Sequence, residues 1–411
     1  MVASARQGSS ADAVLGVMPR LVLEPSSVAE AAETMRALAR DRLSVTFVGG
    51  GTDLELGAPP SSLDAVVRTA RLARIVEHAP SDQIATVEAG MPIAELQRLL
   101  APHQQRLALD PPRPDVATVG GVVASNAFGP RRHRFGTARD VVIGMSFVRA
   151  DGEPAKGGGK VVKNVAGFDV PRLLVGSLGT LALITTVTVR LHPLPETERS
   201  VAFAGLGVAE TRDLVAQAQA AQLEPTSVVA LASEGKLDTC FRFEGFAPGV
   251  AEQCQRLLEL AARLGRAAEA LEDASARVFW TRHDAVRAGG SLRVKIAAPP
   301  ATLEAVVRGA LEPLLRGALD AGRAVLYPTV GIAFACGEPA SPEEAARAIS
   351  AARSALAPLA GSLVVTAAPA AVRALLDVWG PPTGSVSIVR RVKHELDPDR
   401  RLAPGRFVGG I

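Results

Sequence analysis

Three consecutive glycines, Gly49 to Gly51, follow directly on the β-branched run SVTFV (Ser44–Val48). A run of that composition reads as a strand. The stretch FVGGGTDLELG therefore puts three residues without a Cβ at the exit of a strand, just before a Thr52-Asp53 pair. Successive glycine N–H groups can wrap an anion, and the missing side chains allow close approach of backbone or ligand. Phosphate is the natural guest. The spacing is neither G-x-G-x-x-G nor a P-loop, which needs Gly-Lys-Ser/Thr. Taken alone, the trio reads first as a tight turn.

Two further glycine sites change its meaning. TVGGVVASNAFG holds Gly120, Gly121, Ser125, Asn126 and Gly129, and GSLGT holds Gly176, Ser177, Gly179 and Thr180 before running into LALITTVTV. Three glycine loops, each beside a strand, can converge on one extended ligand. A dinucleotide, with a pyrophosphate at its centre, requires that many close backbone approaches.

The surroundings alternate strand and helix. RLVLEP predicts a short strand, and Ser26 or Ser27 can cap a helix that has Glu30 in its first turn and ends near Asp41. AVVRTARLARIVEHAP and DQIATVEAG predict further strands, and PIAELQRLLAPH a short helix with Pro92 in its first turn. Pro111 to Asp140 is rich in Gly, Pro, Ser and Asn and predicts an ordered functional loop system. VVIGMSFVRADG and LALITTVTVRLHPLP return to strand, with a hairpin turn at Asp151-Gly152. A Pro-rich exit after Arg190 suggests a domain boundary, and 411 residues suit two or three domains. Beyond it, strand-like runs (SVAFAGL, TSVVALA, LDTCFRFEG, SLRVKIAA, AVLYPTVGIAFAC, GSLVVTAA) alternate with Ala/Leu/Arg-rich helices, the longest expected over ATLEAVVRGALEPLLRGALDAG. That pattern predicts helices packed on an antiparallel sheet. The chain closes on a helix and a Pro/Gly turn, KHELDPDRRLAPGRF.

The motif order resembles the FAD-binding family of the vanillyl-alcohol-oxidase / p-cresol-methylhydroxylase type. The likeness is carried by VGGGTDLELG, by PPRPDVATVGGVVASNAFGPRRHRFGTARD, by KVVKNVAGFDVPRLLVGSLGT and by the closing DPDRRLAPGRF. GPRR and KNVAGFD are most similar to the smaller flavin-binding subunits of bacterial glycolate oxidases. The resemblance implies an α+β protein. A PCMH-type domain of two α+β subdomains would span 18–195, a cap of antiparallel sheet covered by helices 196–387, and a tail returning to the FAD domain 388–411. It implies that Gly49, Gly50, Gly51, Thr52 and Asp53 line the FAD pyrophosphate. Pro112, Thr118, Gly120, Gly121, Ser125 and Gly129 would run along phosphates, ribityl chain and flavin, and Gly176, Gly179, Thr180 and Ile184 would meet the other side of the nucleotide. Some relatives tether FAD through a histidine in the first loop. Here that loop is Gly-Gly-Gly-Thr-Asp, which predicts non-covalent FAD. The chain departs from relatives at Leu178, where many carry Glu, and at Phe168, where close ones carry Tyr. It also lacks the His-Gly-Asp-x-Asn-x-His motif of catalytic D-type subunits.

The remaining chemistry-bearing residues are scattered. The six histidines are isolated and none is paired at metal-ligand spacing. No metal is expected, and no catalytic residue stands out. The three cysteines, Cys240, Cys254 and Cys336, cannot ligate an iron–sulfur cluster, which generally needs four, and read as buried thiols. The single tyrosine, Tyr327, reads as core packing within a strand. RRHR (Arg131–Arg134) is a solvated loop face, a clamp near the FAD phosphates or a docking patch for an acidic partner. Lys160 and Lys163 flank KVVKNVAGFD, and Lys163 is a candidate cation for the edge of a reduced flavin. A net charge of +3 gives no bias to nucleic acid. No apolar run reaches the ~18 residues of a membrane span, so a cytoplasmic protein is expected, at most peripheral at the membrane through partners.

Three functions are compatible with these features. One is a flavin subunit of a glycolate oxidase, working beside a larger catalytic flavoprotein (D-like) and an iron–sulfur subunit (F-like). The second is a stand-alone FAD-dependent 2-hydroxy-acid oxidase or dehydrogenase. The third is a flavin-binding scaffold.

Overall fold

The computed structural model describes residues 4–160, 168–233, 235–382 and 384–411. The chain divides into two compact units, one made of 1–129, 136–194 and 381–411, the other of 130–135 and 195–380.

The first unit holds two sheets. In the smaller, Ser4–Gln7, Leu21–Glu24, Ala65–Arg68 and Val45–Val48 lie side by side in that order. The last three strands are mutually parallel and the first is an antiparallel edge. Helix Val28–Arg40 makes the crossover. Ser27 caps it, accepting the Glu30 N–H at 3.1 Å, and Ala31, Ala32, Met35 and Leu38 form its buried stripe. The larger sheet is antiparallel, in the order Ile75–Ala79, Ile84–Glu88, Leu183–Arg190, Val142–Val148, Pro154–Gly158. Its central strand, LITTVTVR, is buried at every position but Arg190. Val148 and Leu183 of this sheet share a core with Leu23, Val45 and Val67 of the smaller one, so the two sheets of the unit are held by common apolar contacts.

The segment 111–140 is more regular than its composition suggests. It contains the helices Val119–Ser125, Arg132–Phe135 and Ala138–Val141. Two glycines weaken intrinsic helix propensity in the first of these. Its capping residue Thr118 and its buried Val119, Val122 and Val123 hold it in place.

The tail belongs to this unit. In the last turn of helix Val386–Leu396 the buried Lys393 ammonium donates to Asp397 Oδ2 (2.7 Å), to the Thr180 carbonyl (2.7 Å) and to the Leu402 carbonyl (2.8 Å). Arg401 reaches the carbonyls of Leu43 and Ala150. Leu402 is itself part of the core shared by the two sheets.

The second unit is an eight-stranded sheet, antiparallel at every pairing described. Its order is Glu269–Leu271, Thr197–Leu206, Lys236–Gly245, Ser227–Ser233, Leu319–Tyr327, Ile332–Pro339, Leu292–Ala297, Ser362–Ala367. Strand periodicity sends Val201, Phe203, Phe241 and Phe243 into a core with helices Val208–Ala220 and Ala247–Arg263. Helix Pro342–Leu356 and the helical stretch 303–318 cover Val294, Ile296 and Leu326. The helix expected over 301–322 is broken. A π-turn occupies Val307–Leu311, and from Leu319 the chain is strand. Pro313 explains the π-turn, because it has no N–H to give the carbonyl four residues earlier. One helix was not anticipated, Asp273–Ala288, which carries Phe279, His283 and Val286 into the interior.

Candidate functional site

The Val45–Val48 strand delivers the glycine trio to a cleft within the first unit. It encloses about 760 Å³ of empty space, part of it open to solvent. Gly49, Gly50, Gly51, Thr52, Asp53, Gly120, Gly121, Ser125, Gly179 and Ile184 all line it. The glycines are there for room. A Cβ on Gly49 would lie 2.2 Å from Thr118 Oγ1, one on Gly50 1.8 Å from the Val116 carbonyl oxygen, and one on Gly120 2.6 Å from the Ala89 Cβ. Gly51 has φ +71°, as has Gly179, a region that costs other residues strain.

The three glycine loops are tied to one another. Thr118 Oγ1, against which Gly49 packs, accepts the Gly121 N–H at 3.2 Å and so caps helix Val119–Ser125. At the other end of that helix, Gly176 and Leu178 donate their N–H groups to the carbonyls of Val123 (2.9 Å) and Ala124 (2.8 Å). Ser125 Oγ lies 2.7 Å from Asp53 Oδ2, joining the helix to the first loop. A bare backbone cradle, an apolar wall from Phe47, Leu178 and Ile184, and few charges suit an extended ligand with an anionic centre and flat apolar ends. FAD fits that description. Among the described residues that line it there is neither histidine nor cysteine.

The other residues expected at the nucleotide stand behind this surface. Thr118 is the helix cap just described. The Gly129 N–H donates to Asp110 Oδ1 at 3.0 Å, and a Cβ there would strike the Asp110 carbonyl oxygen. Gly176 (φ +77°) makes the turn possible. Thr180 is buried, with its hydroxyl on the Ser177 carbonyl (2.7 Å), and Pro112 is half-buried in the preceding loop. Lys163 lies outside the described residues. Lys160 pairs with Glu77. The cleft also contains a residue that sequence reasoning missed, Arg406 of the tail, only 3% exposed. Its position beside a Pro404-Gly405 turn was the available signal.

The second unit concentrates polar side chains. Arg131 is engaged within the second unit. It grips the buried Glu244 carboxylate through Nη2 at 2.6 Å and Nε at 3.0 Å, with Glu198 3.6 Å away. Arg134 pairs with Glu224 at 3.0 Å. Burial pushes the Glu198 carboxyl above its ordinary range, opposed by Arg242 and reinforced by Glu244. The Arg242 guanidinium lies 3.4 Å from the centre of the Trp280 ring.

Tyr327 is core, as its strand context suggests, but its hydroxyl is elaborately held. Arg287 Nη1 and His283 Nε2 each lie 2.7 Å from it, and His283 Nδ1 is 2.8 Å from Asp284 Oδ1. Arginine can only donate. The Asp284 carboxylate can only accept, so His283 carries its hydrogen on Nδ1, and the bare Nε2 of the neutral ring accepts from the phenol. Burial lowers the His283 pKa, which keeps the ring neutral. All three cysteines are buried, and burial pushes the Cys240 thiol up to about 12.

Residues 19–157 match the family model described as FAD binding domain. With the glycine cleft, this makes the first unit an FAD-binding domain of the PCMH type, and FAD its cofactor. Relatives add detail. The chain is 32% identical over 200 residues to glycolate oxidase subunit GlcD of Bacillus subtilis, covering 49% of this chain and 42% of that protein. It is 36% identical over 175 residues to a D-lactate dehydrogenase of Archaeoglobus fulgidus (42% and 39%), and 33% identical over 170 residues to glycolate oxidase subunit GlcE of Escherichia coli (41% and 48%). The matches thus span less than half the length of these relatives. The fold of an alkyldihydroxyacetonephosphate synthase superimposes with a TM-score of 0.73 at 16% identity, over 96% of this chain and 78% of that one. Among the described residues, no helix is long and apolar enough to cross a membrane.

Proposed function

We propose that the chain is the flavin-binding subunit of a complex that oxidises glycolate to glyoxylate and passes the electrons through flavin to an iron–sulfur partner. The observation that carries this is the glycine-walled cleft, in a chain whose relatives include two glycolate oxidase subunits by name. FAD, when bound, supplies a two-electron acceptor for the hydroxy acid. The chain's part is to hold it. Gly49–Gly51, Gly120 and Gly121 admit the nucleotide to backbone distance, Ser125 and Asp53 fix the first loop against the helix, and Ile184 and Leu178 wall off water. Asp53, the one carboxylate among the described residues that line the cleft, is engaged by Ser125. This favours an electron-carrying role beside a larger catalytic flavoprotein and an iron–sulfur subunit. With no histidine or cysteine among the described residues that line the cleft, FAD is held without a covalent bond.

Affinity purification of the native protein tests the complex. A larger flavoprotein and an iron–sulfur protein are expected to accompany it, and a chain that purifies alone overturns the subunit reading. Acid precipitation is expected to leave all flavin in the supernatant. The similarity to a D-lactate dehydrogenase favours a second reading, a self-sufficient 2-hydroxy-acid dehydrogenase. Anaerobic addition of glycolate or D-lactate to the isolated chain separates the two. Bleaching of the flavin within seconds selects the second reading, and an oxidised spectrum the first.

A further inference from the structure

Arg406 sits where a long-range arrangement, not a local motif, brings a charge to the nucleotide cleft. Among the described residues lining that cleft it is the one cation, and Asp53 is the one anion. A dinucleotide pyrophosphate is doubly anionic. Glycine N–H groups offer it partial charges only, and Asp53 repels it. A full positive charge on the same wall is the missing element of the site.

The way Arg406 is held suits that role. Its Nη2 donates to the carbonyls of Leu54 (2.8 Å) and Leu56 (2.7 Å), directly downstream of the Thr52-Asp53 pair. Its own carbonyl accepts the Ala58 N–H at 3.1 Å, and the Pro404 carbonyl accepts the Ser61 N–H at 2.9 Å. Tail and loop are therefore zipped from both sides, and Gly405 (φ +82°) makes the turn that brings them together. The side chain is 3% exposed. An arginine whose position is over-determined by carbonyls delivers its charge without a further loss of rotamer freedom on binding. Upstream, the buried Lys393–Asp397 pair anchors the same tail.

We propose that Arg406 is the counter-charge for the FAD pyrophosphate, and that docking of the 397–411 tail on the glycine loop is a condition of nucleotide binding. This rests on the assignment of the cleft to FAD. It makes the last segment of the chain a working wall of the cofactor site and sets a preference for FAD over flavins that lack the pyrophosphate.

The test uses the full-length chain stripped of flavin, with binding followed by quenching of flavin fluorescence. FAD, FMN and riboflavin serve as ligands, and ADP competes for the pyrophosphate subsite. Arg406→Gln is expected to weaken FAD by about tenfold to a hundredfold, the range of one charge-assisted contact. Riboflavin should change by less than about threefold. Arg406→Lys should recover most of the FAD affinity and the salt dependence of wild type. Equal losses for FAD and riboflavin, or no loss for either, overturn the assignment. Trypsin gives a second measure that needs no variant. FAD, and ADP more weakly, should slow cleavage after Arg406 in the wild-type chain, whereas riboflavin should not. Protection by riboflavin equal to that by FAD also overturns it. Wild-type chain that takes up no FAD at all overturns the flavin assignment itself, a failure distinguishable from the others.

Discussion

The two units build their polar surfaces in opposite ways. The cleft of the first is made by removing side chains: glycines at 49, 50 and 120 stand where any Cβ would meet Thr118, Val116 or Ala89. In the second unit, polar side chains are accumulated and locked to one another. Arg131 with Glu244, and Arg287 with Tyr327 and His283, spend their hydrogen bonds internally. A ligand can enter a surface from which side chains have been removed. A network whose groups hold one another resists deformation. The contrast explains why one unit reads as the holder of a cofactor and the other as a stiff, polar-stitched plate.

Five changes test the contrast. Gly50→Ala should have the largest effect. Its methyl would lie 1.8 Å from a main-chain oxygen, so the loop must move. The expected result is loss of bound flavin on purification and at least about 3 kcal/mol of stability, the upper range for overpacking. Gly51→Ala is the control. Nothing lies within 4 Å of its would-be Cβ, and only the φ of +71° opposes it, at about 1–2 kcal/mol. Flavin retained by Gly50→Ala would break the account of the cleft.

Arg131→Met comes next. It leaves the Glu244 carboxylate, whose side chain is 1% exposed, without its bidentate partner. Chemical denaturation should show a loss of about 3 kcal/mol, typical of half a buried ion pair, with little change in flavin affinity. Tyr327→Phe removes the oxygen shared by Arg287 and His283, and should cost about 1–3 kcal/mol, again at unchanged flavin content. A change in flavin affinity without a loss of stability would contradict a purely stitching role.

The smallest effect concerns acid. Burial, with Arg190 and Arg106 nearby, pushes the His192 pKa down to about 4. The folded imidazole is then neutral where the unfolded one, near 6.5, binds a proton. The unfolded state holds more protons between those values, so stability rises with pH across that window and falls as pH drops from about 6.5 toward 4. Replacing His192 by Asn should flatten the difference between pH 7 and pH 5 by about 1 kcal/mol in urea titrations. An unaltered slope would show that other groups carry it.

How much of this was visible in the sequence depends on how local the cause is. The strands, the Ser27 cap and the antiparallel sheet under helices follow from periodicity and turn chemistry, which act over a few residues. The glycine loops are legible for the same reason, since the absence of a Cβ is written at the position that needs it. Helix Asp273–Ala288 was missed although the run lacks Gly and Pro throughout and places Phe279, His283 and Val286 on one face. Its charged residues and solvent-facing Val278 hid the stripe. Helix Val119–Ser125 was hidden by its glycines, whose value lies in contact with Ala89, thirty or so positions away. The partners of Arg131 and Arg406 are 113 and 352 residues distant, and no local pattern announces a contact of that span.

The discontinuity of the first unit has a consequence for how the protein is made. Residues 381–411 complete a unit begun by the N-terminal strands, with Leu402 in its core and Arg406 on its cleft. A ribosome makes those residues only after 195–380. The nascent chain must therefore hold an unfinished cofactor domain while all of 195–380 is synthesised. A message or chain cut short anywhere before the tail yields a product with the glycine loops in place and no completed wall around them. Flavin uptake thereby waits on a segment made only after the whole second unit.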